Sequence, residues 1–165
     1  MTFEFREETA TYDPGLRERW NSGELPRRWR RAYPGVFDDQ DLRVALSQPR
    51  YHFFEWLGAL HYHEKGYSVL VGKYFLQRNE RRLKKLLQVL NEGDPSFRSF
   101  RTALSALPPD LLIYGKRRRF FFVEVKGPRD RMSDRQRQAF RAIAQRFSTE
   151  VRILKFRPAF SVRPS

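Results

Sequence analysis

The stretch Phe120-Phe121-Phe122-Val123-Glu124-Val125-Lys126 constrains this chain more than any other. It is apolar at both odd and even positions, so it reads as a central strand covered on both faces. A carboxylate and an ammonium inside such a strand are costly unless they are paired or bound to a metal. Side chains alternate along a strand, which places Glu124 and Lys126 on one face.

A second short strand, Leu111–Tyr114, precedes it, and the segment Gly115-Lys116-Arg117-Arg118 supplies the turn between them. Thirteen residues separate Asp110 from Glu124. An antiparallel return therefore puts Asp110 roughly opposite Glu124, with Cβ atoms about 5 Å apart. Two carboxylates at that distance repel each other unless a divalent cation lies between them. Hard oxygen donors with open water positions describe a Mg²⁺ or Mn²⁺ site. Lys126, on the same face, would orient or help deprotonate a water, or stabilise charge developing at phosphorus. The alternative on spacing alone is a Glu124–Lys126 ion pair near a strand end, with Asp110 capping a turn.

The remaining pattern builds an α/β domain around that hairpin. Tyr51–Lys65 has Phe53, Trp56, Leu57 and Leu60 at helical spacing and ends at Gly66. A strand is expected over Tyr67–Val71, a helix over Gln77–Leu90, a loop over Asn91–Pro108, a helix over Asp134–Phe147 and a strand over Glu150–Phe156. The Gln77–Leu90 helix carries Arg78, Arg81, Arg82, Lys84 and Lys85 opposite its leucines. The whole is a small mixed β-sheet flanked by helices over residues 51–165. Residues 1–50 are broken by Pro14, Gly15, Gly23, Pro26, Pro34, Gly35 and Pro49 and read as an N-terminal arm. Short helices are expected there around Gly15–Ser22 and Asp38–Leu46. Trp20, Trp29, Tyr33 and Phe37 require that the arm pack on something.

Charge narrows the partner. Lys plus Arg number 33 against 19 Asp plus Glu, a net charge of +14. Residues 1–50 hold nine basic and nine acidic side chains, so the whole excess lies in the remainder. Such an excess favours a polyanion, nucleic acid first. Arg outnumbers Lys 26 to 7, which suits phosphate because the guanidinium binds it as a planar fork. Lys116, Arg117, Arg118 and Arg119 cluster at the hairpin turn, and Arg129, Arg131, Arg135 and Arg137 follow the central strand. These are the candidate DNA contacts, with the helix start at Ser133 adding backbone donors. There are no cysteines, which excludes a disulfide framework, a thiolate metal site and a cysteine nucleophile. No apolar run approaches the roughly 18 residues of a membrane span, and the first residues lack a signal-peptide pattern. A cytoplasmic or nucleoid-associated location is expected, or a nuclear one in a eukaryote, with no membrane partner. His52, His61 and His63 are expected in ordinary packing or surface roles.

The stretch Pro109-Asp110-Leu111-Leu112-Ile113, followed by Glu124-Val125-Lys126-Gly127-Pro128 and then Ser133-Asp134-Arg135-Gln136, closely resembles the VRR-NUC family. That family belongs to the PD-(D/E)xK nuclease superfamily, with a restriction-endonuclease-like fold. The resemblance is specific through about residues 109–140 and does not reach the first 50. An aromatic usually stands two residues past the glutamine plus one; here Ala139 is followed by Phe140, a packing change. The resemblance implies an acid on a helix before the first strand, which maps best to Glu55, with Glu64 a weaker candidate at the helix end. It implies that Glu55, Asp110, Glu124 and the Val125 carbonyl hold Mg²⁺ or Mn²⁺, that Lys126 activates the water, and that Gln136 sits beside the catalytic strand. Ser133-Asp134-Arg135-Gln136 also has the capping-box pattern, which by itself explains the spacing.

The function so implied is metal-dependent hydrolysis of DNA phosphodiesters. The DNA would be branched, a four-way junction or flap met in repair, recombination or phage-type replication. Stand-alone members resemble homodimeric junction resolvases, so a homodimer is expected. Two alternatives remain: a sequence-specific restriction or transposition endonuclease of the same superfamily, and a non-catalytic DNA-binding module.

Overall fold

A computed structural model describes residues 5–72, 80–90, 107–115 and 119–160. Five strands form one mixed sheet: β1 (Arg6–Tyr12), β2 (Ser68–Val71), β3 (Leu111–Tyr114), β4 (Phe120–Lys126) and β5 (Val151–Pro158), in the order β1-β5-β4-β3-β2. β4 runs antiparallel to β3 and parallel to β5, while β1 joins β5 in parallel and β2 closes the other edge antiparallel to β3.

Two helical layers cover the sheet, and the side-chain parity of β4 assigns them. Phe121, Val123 and Val125 point to one core, beneath α1 (Gly15–Asn21), α2 (Glu24–Ala32), α3 (Asp39–Ser47) and α4 (Phe53–Glu64). Phe122 points to the other, beneath α5 (Glu80–Leu90) and α6 (Asp134–Phe147). Residues 121–126 are all buried, as a doubly covered strand requires. Among the described residues, no helix is long and apolar enough to cross a membrane.

From residue 5 onward the expected arm lies on its own domain. Trp20 is buried against Trp56 and Phe53, and Phe37 stacks on Trp56 with ring centroids 3.8 Å apart. The indole N–H of Trp20 donates to the Pro49 carbonyl at 2.8 Å. The helices expected near Gly15–Ser22 and Asp38–Leu46 are α1 and α3. Two elements were not anticipated. α2 accommodates Pro26 in its first turn, where the missing N–H has no intrahelical partner to lose. β1 has only Ala10 and Tyr12 as inward apolar residues, too few to stand out, and its partner lies 146 positions along the chain, Arg6 opposite Arg152.

The expected helices and strands of residues 51–165 are present in the expected order. β5 runs two residues past Phe156, because β1 continues alongside it to Tyr12 opposite Pro158. The expected start of α5 at Gln77, and most of the expected loop 91–108, lie outside the described residues.

One close approach positions α4. A Cβ on Gly58 would stand 2.8 Å from Val125 Cγ2, so only glycine lets the helix backbone sit this near to β4. Glu55 lies one turn earlier and is carried to the end of the sheet. There Gly72, left-handed at φ +52°, brings the backbone after β2 close enough that a Cβ would lie 3.0 Å from Glu55 Oε1.

Candidate active site

The hairpin register settles where Asp110 stands. Leu111 pairs with Val123, so Asp110, the residue before β3, lies opposite Glu124. Asp110 Oδ2 accepts the Val125 amide at 2.9 Å. A paired strand residue turns its N–H and C=O to the same edge, so the Val125 carbonyl also faces Asp110.

Glu124 is 5% exposed and Lys126 8%, and both point toward α6. Lys126 Nζ donates to Glu124 Oε1 at 2.9 Å and to Gln136 Oε1 at 3.4 Å. Gln136 Nε2 donates to the same Glu124 Oε1 at 3.1 Å. Gln136 also completes the capping box of α6: its amide accepts the Ser133 N–H at 3.2 Å, and its backbone N–H donates to Ser133 Oγ at 3.1 Å. The two readings of this residue are therefore not rivals. The oxygen end of one amide serves the helix start and the lysine, while the nitrogen end holds the glutamate.

Ser133→Ala should cost about 1 kcal/mol of stability through the lost cap, measured by denaturant unfolding. It should leave the Ser133 N–H, and so the Gln136 side chain, in place. Gln136→Ala removes the bridge itself and leaves Glu124 with one donor fewer, so it should destabilise the fold more than the cap variant in the same unfolding measurement.

Glu55 approaches from the opposite layer. It shares with Asp110 the wall of a cavity of about 530 Å³. His52 Nδ1 lies 3.2 Å from Glu55 Oε2, and His52 Nε2 lies 3.2 Å from Gln48 Oε1. His52 thus holds Glu55 from one helical turn away, a contact that the i, i+3 spacing could have signalled. His61 and His63 take no part. Glu64 is exposed at the end of α4.

The electrostatics of the acids are consistent with their crowding. Asp110 is pushed well above the usual carboxylate range, first by burial, then by the charges of Glu124 and Glu55. Burial likewise raises Glu124, against the opposing pull of Lys126 and of a hydrogen bond with Asp110. Among the described residues, no three His, Asp or Glu side chains converge closely enough to chelate an ion by themselves. Asp110 and Glu124 nevertheless fit a hard divalent cation. They are hydrogen-bonded carboxyls whose ionisation the site penalises, with a backbone carbonyl on the same edge. Mg²⁺ typically takes one or two protein carboxylates and fills its remaining positions with water and phosphate.

A basic groove opens on the other side of Lys126. Lys126, Arg131, Arg137, Arg141 and Lys155 line about 640 Å³ beside α6 and β5, together with Glu7 and Asp130. Arg129 and Arg135 are exposed beside the same strand-to-helix turn. Arg141 and Lys155 are contributors that the sequence reading missed, because they come from later elements. Lys116, Arg117 and Arg118 lie outside the described residues.

The fold is an α/β domain in which Glu124 and Lys126 end the central strand, Asp110 stands opposite Glu124 just before β3, and Gln136 backs them from the next helix. The family model for the VRR-NUC domain matches residues 61–155, and the chain belongs to that family. A solved structure, paFAN1 bound to a 2-nucleotide 5′-flap DNA with a gap, is similar at 20% identity and a TM-score of 0.30. The similarity covers 89% of this chain and 22% of that one, so this chain spans about a fifth of that protein's length. No curated protein matches the sequence.

Proposed function

We propose that this domain hydrolyses DNA phosphodiesters with Mg²⁺ or Mn²⁺, acting on branched DNA such as a flap or four-way junction. The observation that supports the reading is the network in which buried Glu124 and Lys126 join half-buried Asp110 and Gln136 beside a basic groove. Asp110, Glu124 and the Val125 carbonyl would hold the ion, with Glu55 adding negative charge from the cavity wall. The ion would supply Lewis-acid neutralisation at the phosphoryl oxygens.

The chain's own residues do the rest. The carboxylates hold one another at fixed separation through the strand register. Lys126 presents an ammonium beside Glu124, placed to orient the attacking water and to offset charge growing on the phosphate. Gln136 keeps both in place. Arg131, Arg137 and Arg141 attract the backbone that carries the scissile bond.

Incubation with labelled flap, fork, four-way and linear DNAs in Mg²⁺ or Mn²⁺ tests this directly. Cleavage of branched forms over linear duplex is expected. Preferential cutting of plain duplex at a fixed sequence would replace structure recognition with sequence recognition, and no cutting under any condition would remove the enzymatic reading.

A second test needs no turnover. A carboxyl whose proton affinity rises on folding adds stability below its unfolded pKa, about 4, and that stability is lost as pH rises through the folded value. Asp110 and Glu124 are both raised. In chelator, the protein should therefore melt at lower temperature near pH 8 than near pH 5 through this pair. Added Mg²⁺ should recover stability at the higher pH and little at the lower, because binding to the ionised pair stabilises by mass action. Asp110→Asn should reduce that pH difference by removing Asp110's share, leaving the part that burial of Glu124 contributes; thermal unfolding with and without metal reads each case.

A further inference from the structure

The basic face of α5 plays no part in the site described above. Arg81, Lys84 and Lys85 are exposed at i, i+3 and i+4. No ion pair among the described residues engages them. They line a cleft of about 330 Å³ between α5, the turn before α3 and the outer strand β2, where Lys85 Nζ stands 5.8 Å from the Tyr114 ring centroid.

The cleft adjoins the active-site cavity. Arg82 lines both, and its guanidinium is held between them by Asp41 and, at 3.5 Å, by Asp38 at the start of α3. That ion pair fixes α5 against the N-terminal layer and makes the cleft a built feature of the fold. Like charges one helical turn apart destabilise a helix, so three cations crowded here favour an anionic occupant. The rise from Arg81 to Lys85 is about 6 Å, close to two steps of a DNA strand at about 3.4 Å each. The large exposed hydrophobics of the described residues, Val44, Tyr51 and Phe160, do not line it. That leaves it without the apolar anchor of a membrane-inserting or protein-docking face.

We infer that this cleft is a second nucleic-acid site, which grips the phosphate backbone of a DNA arm away from the bond being cut. The inference rests on the nuclease reading for its biological use, but its test does not. The triple variant Arg81→Gln, Lys84→Gln, Lys85→Gln is compared with wild type and with a triple of equal charge loss, Arg28→Gln, Arg43→Gln, Lys65→Gln. Binding of a fluorescent forked DNA is measured by anisotropy in chelator across a salt series. The α5 triple should weaken binding about tenfold and flatten the slope of log affinity against log salt by about 2 to 3, one unit per lost phosphate contact. The control triple should change the slope by less than about 1. In metal, the α5 triple should raise the DNA concentration for half-maximal cleavage and leave the saturating rate unchanged.

An unchanged salt slope, or equal losses in both triples, would overturn the inference; so would a fall in the saturating rate with affinity intact. A wild-type chain that binds the fork through these residues but never cuts would sink the nuclease reading and leave this one standing.

Discussion

Lys126→Ala should lower single-turnover cleavage of DNA by about 10²- to 10³-fold, the range expected for loss of one buried charge-stabilising donor. DNA affinity measured in chelator should stay close to wild type, because the groove beyond Lys126 keeps Arg131, Arg137, Arg141 and Lys155. Lys126 is 8% exposed and its Nζ donates to Glu124 at 2.9 Å, so it contributes little to the proposed DNA-binding surface. The variant also leaves Glu124 with one donor fewer in a buried place, which costs stability. Lys126→Met separates loss of the ammonium from loss of side-chain volume, though Glu124 still lacks the same donor. It fills the volume, restores packing and should remain as inactive as the alanine. Cleavage near wild-type rate in either variant would return Glu124–Lys126 to a structural ion pair.

Trp20→Ala should destabilise the fold by about 3 to 5 kcal/mol, the usual cost of emptying a buried aromatic site. Trp20 is 1% exposed, touches Trp29, Phe53 and Trp56, and holds the Pro49 carbonyl. The loss should appear as a lower midpoint in denaturant with a single cooperative transition, because α1 and α4 share one core cluster. A loss under about 1 kcal/mol, or two separate transitions, would mean that the first fifty residues are an appendage whose packing the domain does not need. Destabilisation should also reach the site indirectly, since Phe53 and Trp56 flank Glu55 on α4.

The sequence was most legible where one residue type could satisfy only one environment. Phe120 to Val125 is apolar on both faces and is a central strand. Glu124 and Lys126 share a face because alternation leaves no other arrangement, and the short turn dictates that Asp110 returns opposite Glu124. Glu55 is different: family resemblance named it, and its own helix offered only that it is a lone carboxylate among apolar residues, one turn from Gly58 and Ala59, where a strand could approach. What brings it in is the bare backbone of Gly58 against Val125: the small residues marked where a strand could approach, but not which strand. β1 was missed for a related reason. Its neighbour is the last strand in the sequence, and a half-exposed edge strand that opens on the charged residues Arg6, Glu7 and Glu8 looks like loop. Gln136 was read as a choice between a cap and a catalytic neighbour because spacing records a residue once, whereas an amide has two ends.

The pairing of β1 with β5 has a consequence for how the protein comes into being on the ribosome. Among the described residues, β1 finds its one sheet neighbour 146 positions later, Arg6 opposite Arg152. Contacts between such distant segments form late and slow the search for the native topology. Until Val151–Pro158 has left the exit tunnel, β4 also lacks its parallel neighbour, and the carboxylates at its end have no finished sheet to hold them in register. The acids and the lysine at the end of β4 therefore reach their final register only after the last strand has been made.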